Sequence, residues 1–292
     1  MNTDVSIVRC DEYEAETCRR ALESVLAPLG GLDWVQPGMR IAVKVNLVSA
    51  MPPEGAATVH PTLLCELVRM LTARGASVVL GDSPGGLYTP AHLAHVYDVT
   101  GMHECEKYGA QLNQDFSQAI ASFPDAVCAH QFTYTAWLDK ADAIIDFCKL
   151  KSHGMMGMSN AAKNLFGVIP GTMKPEYHYK YPDAGDFSNM LIDLNEYFKP
   201  RLCICDAVVC MEGNGPTQGT PVHLGAIAAA YSSHKLDLLC ADLIGLTAKD
   251  VPTLAAALAR GLLPPTAAEI EDALKKERDV CAVLVTSPDY YG

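Results

Sequence analysis

Residues 39–83 read MRIAVKVNLVSAMPPEGAATVHPTLLCELVRMLTARGASVVLGDS. Two apolar, β-branched runs, 39–48 and 76–83, bracket a stretch with helical punctuation. Pro61 stands where a first helical turn tolerates a missing N–H, and Gly75 stands where a helix end favours a left-handed residue. A strand–helix–strand unit of this length pairs its strands in parallel through a right-handed crossover. The alternation continues outward. VSIVRC (5–10) reads as a strand, and the stretch from Glu14 to Leu29 places Leu22, Val25, Leu26 and Leu29 at helical spacing. ADAIIDFCKL (141–150), RLCICDAVVCM (201–211), LGAIAAAYSS (224–233) and VCAVLVTS (280–287) read as further strands. Helices are predicted over 186–198, stopped by Pro200, and from about 234 and about 250. The expectation is an α/β fold: a mostly parallel sheet, or sheets, with helices on both faces and the functional site at the strand carboxyl ends. One domain over residues 1–292 accounts for the pattern. The strand signal fades near 90–125, which is where two lobes would divide.

Bulk properties narrow the function classes. The hydrophobic fraction is 49% and mean hydropathy is +0.10, enough to bury a sizeable core. The net charge of −12 and pI near 5.1 argue against a nucleic-acid-binding surface. No apolar run reaches the length of a membrane span, and MNTDVSIVRCDEYEAE has no basic segment leading into an apolar one. The chain therefore reads as cytoplasmic and not membrane-bound. Its eleven cysteines are an odd number and form no CxxC, so reduced thiols packed as small hydrophobes are expected. Cys203 and Cys205 share one strand face and are read as core. No metal site is predicted.

The chemistry concentrates elsewhere. Five of the 13 lysines, Lys149, Lys151, Lys163, Lys174 and Lys180, lie in residues 149–180 beside a single acidic residue, Glu176, so this segment carries five minus one, or +4. A positive island in an acidic chain attracts an anion. It starts at a strand end. Gly154, Gly157, Ser159, Ala161 and Ala162 permit close backbone approach, and a helix beginning near Gly157 or Met158 would aim N–H groups at an anion. Lys163 and Asn164 follow on that helix, and His153 adds a group that titrates near neutrality. Other strand ends contribute. Lys44 and Asn46 share one face of their strand, and a lysine in an apolar strand needs a partner or a cavity. Asp82 follows the next strand, and Asp206 and Glu212 close another. The expected binding residues are Lys44, Asn46, Asp82, Lys149, Lys163, Asn164 and Asp206; the expected proton-transfer residues are Lys151, His153 and Glu212. Dinucleotide, phosphate-loop, zinc-protease and serine-hydrolase signatures are absent from the sequence.

The segment KLKSHGMMGMSNAAKNLFGVIPG (149–171) resembles the central signature of the domain of unknown function 362 family. KVNLV with TVHPTLLCELVRMLTARGASVVLGDSPGG, then LIDLNEYFKPRLCICDAVVCMEGNGPTQG, and then Asp237 in KLDLLCADLIG resemble further family blocks in order, over roughly residues 40–260. The family commonly has an aspartate about five residues before Asp237, where this chain has Ser232. Many members carry a ferredoxin-like module with cluster-binding cysteines; that pattern is missing here, so no iron–sulfur cluster is expected in this chain. The resemblance implies a redox, iron–sulfur-associated setting. Two functions are compatible with all of this. One is an enzyme that binds a small anionic substrate or cofactor, a carboxylate or phosphate, in a lysine-rich pocket. The other is a non-catalytic module that docks a ferredoxin-type protein or assists iron–sulfur delivery. Neither reading fixes the oligomeric state.

Overall fold

The computed structural model describes residues 4–263. The strand expected at 280–287 lies outside them. The chain enters through β1 (Val5–Arg9) and α1 (Ala15–Leu26), whose first turn is capped by the Glu14 carboxylate accepting from Thr17 N at 2.8 Å. Then comes the unit quoted above: β2 (Arg40–Val45), α2 (Pro61–Thr72) and β3 (Ser77–Gly81), with β2 and β3 parallel from Arg40↔Ser77 to Lys44↔Gly81. Pro61 is the first residue of α2, and Gly75 takes a φ of 80° just beyond its end. β2 stops at Val45, short of the expected 48. The Leu47 N–H leaves the ladder and bonds Asp82 Oδ2 at 2.9 Å, so the strand end is turned toward a side chain.

Residues 90–135 hold α3 (Pro90–Thr100), the short β4 (Ala110–Leu112) and a separate hairpin of β5 (Gln118–Ser122) and β6 (Gln131–Thr135). β7 (Ala143–His153) follows, and its end is paired by β8 (Gly157–Ser159). The helix expected near Gly157 is therefore a strand, with His153 opposite Gly157 and Lys151 opposite Ser159. Gly157, at φ 66°, turns the chain back at a point where a Cβ would strike the Asp250 carbonyl. α4 (Ala161–Asn164) is only four residues long. After α5 (Lys174–Lys180) and α6 (Ala184–Phe198) come β9 (Leu202–Glu212), β10 (Thr220–Ala230), α7 (Ser233–Leu243) and α8 (Pro252–Ala259).

The main sheet runs β1-β10-β9-β7-β2-β3-β4, with β8 on β7. The β9–β7–β2–β3–β4 stretch is parallel throughout. β10 is antiparallel because a short turn returns it directly against β9, and β1 pairs antiparallel to β10. Both faces are covered, as the α/β pattern requires. Alternate residues Ile41, Val43, Ile145 and Phe147 pack with Leu22, Leu64, Leu67 and Val96 of α1, α2 and α3. On the other face, Ala42 and Val79 pack with Phe187 and Leu191 of α6, while Cys148, Cys203 and Cys205 pack with Leu236 and Leu239 of α7. The ten cysteines among the described residues are unbridged. No described helix is long and apolar enough to cross a membrane.

Candidate functional site

Strand alternation sends lysines to both faces of the sheet. On the α4 side, Lys44 pairs with Asp82 at 2.8 Å, with side chains 1% and 4% exposed. Asp82 can reach it because β3 ends one residue earlier, in register with Lys44. Lys44 Nζ also donates to the Val45 carbonyl at 2.8 Å and to Asn164 Oδ1 at 3.1 Å. On the opposite side, Lys149 of β7 pairs with Asp206 of β9 at 2.8 Å, and the two residues are register partners. Tyr13 OH accepts from Lys149 and donates to Asp206 Oδ1, both at 2.8 Å. The Tyr13 ring stacks on His60 with centroids 3.7 Å apart. Each lysine thus has its own buried carboxylate, which is what makes its charge tolerable inside the sheet.

Lys151 is different. It is fully buried, and among the described residues its ammonium donates only to neutral oxygens, Asn46 Oδ1 and the Ala57 carbonyl, both at 2.6 Å. Burial pushes its pKa well down, and repulsion from Lys163 and Lys149 adds to this. Through the Asn46 amide, which donates to Asn164 Oδ1 at 3.1 Å, Lys151 is tied to the Lys44 side of the network. Asn164 then donates to Asp146 Oδ1 at 2.5 Å.

A cleft of about 590 Å³ opens beside this network at the carboxyl ends of β2, β3 and β7. Its floor is Asn46, Asp82, Asn164 and Gly167. One wall is the 84–86 loop, locked to the following segment by Ser83 N donating to the Gly167 carbonyl and Gly171 N donating to Ser83 Oγ. His153 and Ser159 come from β7 and β8, and Lys163, Lys174 and His178 complete the polar lining. Burial pushes both Lys163 and Lys174 down to about 8. Neither ammonium has a carboxylate within ion-pair distance among the described residues: Lys174 donates to the Ser83 carbonyl, and both lie over the Phe166 ring, at 5.4 and 5.7 Å. Burial also pushes His153 down to about 3, helped by Lys163 and Lys151. Its Nδ1 accepts from Met155 N and Met156 N at 3.2 Å each, so the ring proton sits on Nε2 and the ring is a donor.

The structure therefore divides the expected residues. Asn46, Asp82, His153, Lys163 and Asn164 line the cleft. Lys44 and Lys151 stand directly behind it, bonded to lining residues. Lys149 and Asp206 belong to the Tyr13–His60 cluster on the other face of the sheet. Glu212, half-buried at the end of β9 opposite Thr220, does not line the cleft. The expected helix N-terminus is not available to a ligand: the Asp237 carboxylate takes the N–H groups of Ala161 and Ala162 at 2.8 and 3.2 Å. His178 was not foreseen. Its signal was present, because Lys174 and His178 are four apart and share one side of a helix.

Two buried carboxyls make stability depend on pH. Burial raises Asp146 to about 7 and Asp237 to about 8. A carboxyl whose folded pKa exceeds its unfolded value holds its proton better when folded, so its contribution is complete below about 4 and fades as pH rises through the folded pKa. Asp146→Asn, which imitates the protonated form, is expected to lessen the decline of stability between pH 4 and 7 by up to about 1.4 kcal/mol per pH unit. Urea denaturation at a series of pH values measures it; a slope unchanged from the parent rejects the protonated Asp146.

The family model for a domain of unknown function (DUF362) matches residues 41–242. A thylakoid-associated protein of Synechocystis sp. is 31% identical over 288 residues, covering 96% of this chain and 86% of that protein. Among solved structures, the lactate racemase apoprotein from Thermoanaerobacterium thermosaccharolyticum superimposes with a TM-score of 0.50 at 12% identity, over 84% of this chain. A Thermotoga maritima protein superimposes with a TM-score of 0.47 at 12% identity, over 88% of this chain. This chain spans 58% of the racemase and 61% of the Thermotoga protein, and the likeness to the racemase is one of fold. The site segments Lys44–Asn46, Asp82 and Lys149–Asn164 all fall inside the matched span, and the chain belongs to the DUF362 family.

Proposed function

We propose that this protein is an enzyme that binds a small anion, a carboxylate or a phosphate, in the lysine-lined cleft and transfers a proton there. The observation that carries this reading is the pair of cleft-facing amines, Lys163 and Lys174, which have no carboxylate within ion-pair distance among the described residues. Lys44 and Lys149 have such partners. Amines left without counter-ions at the carboxyl ends of parallel strands fit a ligand that brings the missing negative charge. The His153 Nε2 proton adds a neutral donor. Lys163, pushed down to about 8, is a proton donor below that pH and a base above it, which suits acid–base work near neutrality. Lys151 acts as a positioning residue, holding the Asn46 amide toward Asn164. A racemase named for the carboxylate lactate is built on the same fold, so the scaffold can serve a small carboxylate.

The test is a thermal shift with sodium acetate and with inorganic phosphate. At least one is expected to raise Tm in the parent, since a ligand at 100 times its Kd stabilises by about 2.7 kcal/mol. The Lys163→Met, Lys174→Met double variant is expected to keep a cooperative melt and lose that response. His153→Ala is expected to weaken binding of the effective anion by about 10- to 100-fold, the loss of one hydrogen bond to a charged group. A parent that responds to neither anion, or a double variant that responds like the parent, rejects the reading.

A further inference from the structure

From the charges around the cleft we infer that the ligand presents a dianionic head group, of the kind carried by a phosphate monoester, and that Lys163 and Lys174 each neutralise one of its two charges. This rests on the anion-binding reading above and makes it narrower.

The charged groups around the cleft can be taken one element at a time. From the end of β3 comes Asp82, and from β2 comes Lys44; these cancel at 2.8 Å. From β7 come His153, neutral and presenting Nε2–H, and, behind the lining, Lys151 and Asp146. Burial raises Asp146 to about 7 and lowers Lys151, so both members of that rear layer shift toward the uncharged form. From α5 comes His178, lowered by burial and by Lys163 and Lys174; its ring stacks on Phe187 with centroids 4.6 Å apart. What remains is Lys163 of α4 and Lys174 of α5. Both line the one cleft, and their ammonium groups lie 5.7 and 5.4 Å from the centroid of the Phe166 ring. A monoanion would leave one of the two charges uncompensated in a partly desolvated site. A dianion matches both. The surroundings suit oxygen-rich head groups: Ser159 and the neutral His153 line the same space, above a floor in which Asn46 and Asn164 are bonded to each other.

The lysines titrate near the pH at which a monoester gains its second charge. Both amines are charged below about 8. A phosphate monoester is doubly charged above about 6. Binding is therefore strongest between these two values and weakens on either side, and both signs follow from which partner loses charge.

The experiment is calorimetric titration of the full chain with methyl phosphate, a dianion at pH 7.3, and dimethyl phosphate, a monoanion of similar shape, with malonate as a dicarboxylate. Methyl phosphate is expected to bind about 10- to 100-fold more tightly than dimethyl phosphate, the range for one added charged hydrogen bond. Lys163→Met and Lys174→Met are each expected to abolish most of that preference, and Lys163→Arg to retain it, which separates charge from packing. Malonate equal to or tighter than methyl phosphate keeps the dianion and assigns it as a dicarboxylate. Dimethyl phosphate binding as tightly as methyl phosphate overturns the dianion and leaves the anion site standing. No heat with any of these probes, together with no response to acetate or inorganic phosphate, overturns both.

Discussion

Asp206→Ala is expected to lower the stability of the folded chain by about 3–5 kcal/mol, the range seen when one partner of a buried ion pair is removed. Asp206 has four donors around it: Lys149 Nζ, Tyr13 OH, His60 N and Val208 N, all within 3.2 Å. The Lys149 side chain is 1% exposed, so its ammonium cannot turn to water when the carboxylate is gone. It would keep Tyr13 OH alone, and the N–H of His60, which stands at the start of α2, would lose its acceptor. Desolvation of an unpaired charge dominates the loss; the missing attraction is the smaller part. The check is a second variant. Lys149→Met with Asp206→Ala removes both charges and is expected to recover at least about half the loss, because no buried charge is then left without a partner. Urea denaturation of the parent, the single variant and the double variant gives the comparison. A single variant within about 1 kcal/mol of the parent would show that the pair is solvated in solution.

The sequence already contained the repeat of strand and helix, because that repeat is written in local periodicity. The Pro61 and Gly75 punctuation marked α2, and the parallel pairing of β2 with β3 followed from the length between them. The hairpin at 118–135 was not legible. QAIAS and QFTYT each present only a short apolar alternation, and what makes them strands is their pairing from Gln118↔Thr135 to Ser122↔Gln131. The helix expected near Gly157 failed for a related reason. Glycine at 157 fits a close approach equally well in a strand turn and at a helix start, and the pairing with β7 decides between them.

Charge counting pointed to a segment that borders the cleft, through Lys163 and Lys174, but could not sort its lysines. Lys44, Lys149, Lys151 and Lys163 look alike in sequence, yet two are neutralised by partners remote in the chain, Asp82 at a separation of 38 and Asp206 at 57. Only a fold can say which carboxylate meets which amine. Lys174 and Lys163 gain their meaning by exclusion, as the cleft pair that forms no ion pair with a carboxylate among the described residues. The Asp237 carboxylate shows the same limit: it sits 76 residues from Ala161, whose N–H it occupies, and it closes a helix end that sequence alone would offer to a ligand.

Gly167→Ala should destabilise the protein by about 3–5 kcal/mol, through disruption of a buried ion pair. A Cβ at Gly167 would lie 2.5 Å from Lys44 Nζ and 2.6 Å from its Cε, and against Asp82 Oδ1 as well. None of these atoms can retreat easily. Asp82 is fixed by Leu47 N at 2.9 Å, and Lys44 is fixed by the Val45 carbonyl and Asn164. The Gly167 backbone is itself pinned by Ser83 N bonding to its carbonyl. The methyl group must therefore either split the Lys44–Asp82 pair or push the 165–168 turn into the cleft. Both results spoil the floor on which the anion would rest, so binding of methyl phosphate should fall along with stability. Gly154→Ala is the matched control. It lies in the same signature, with nothing within 4 Å of an added Cβ, and is expected to change stability by less than about 0.5 kcal/mol. Melting curves of the two variants side by side separate close packing at one glycine from a general intolerance of the segment. Equal curves would mean that the ion pair and the turn have room which the geometry denies them.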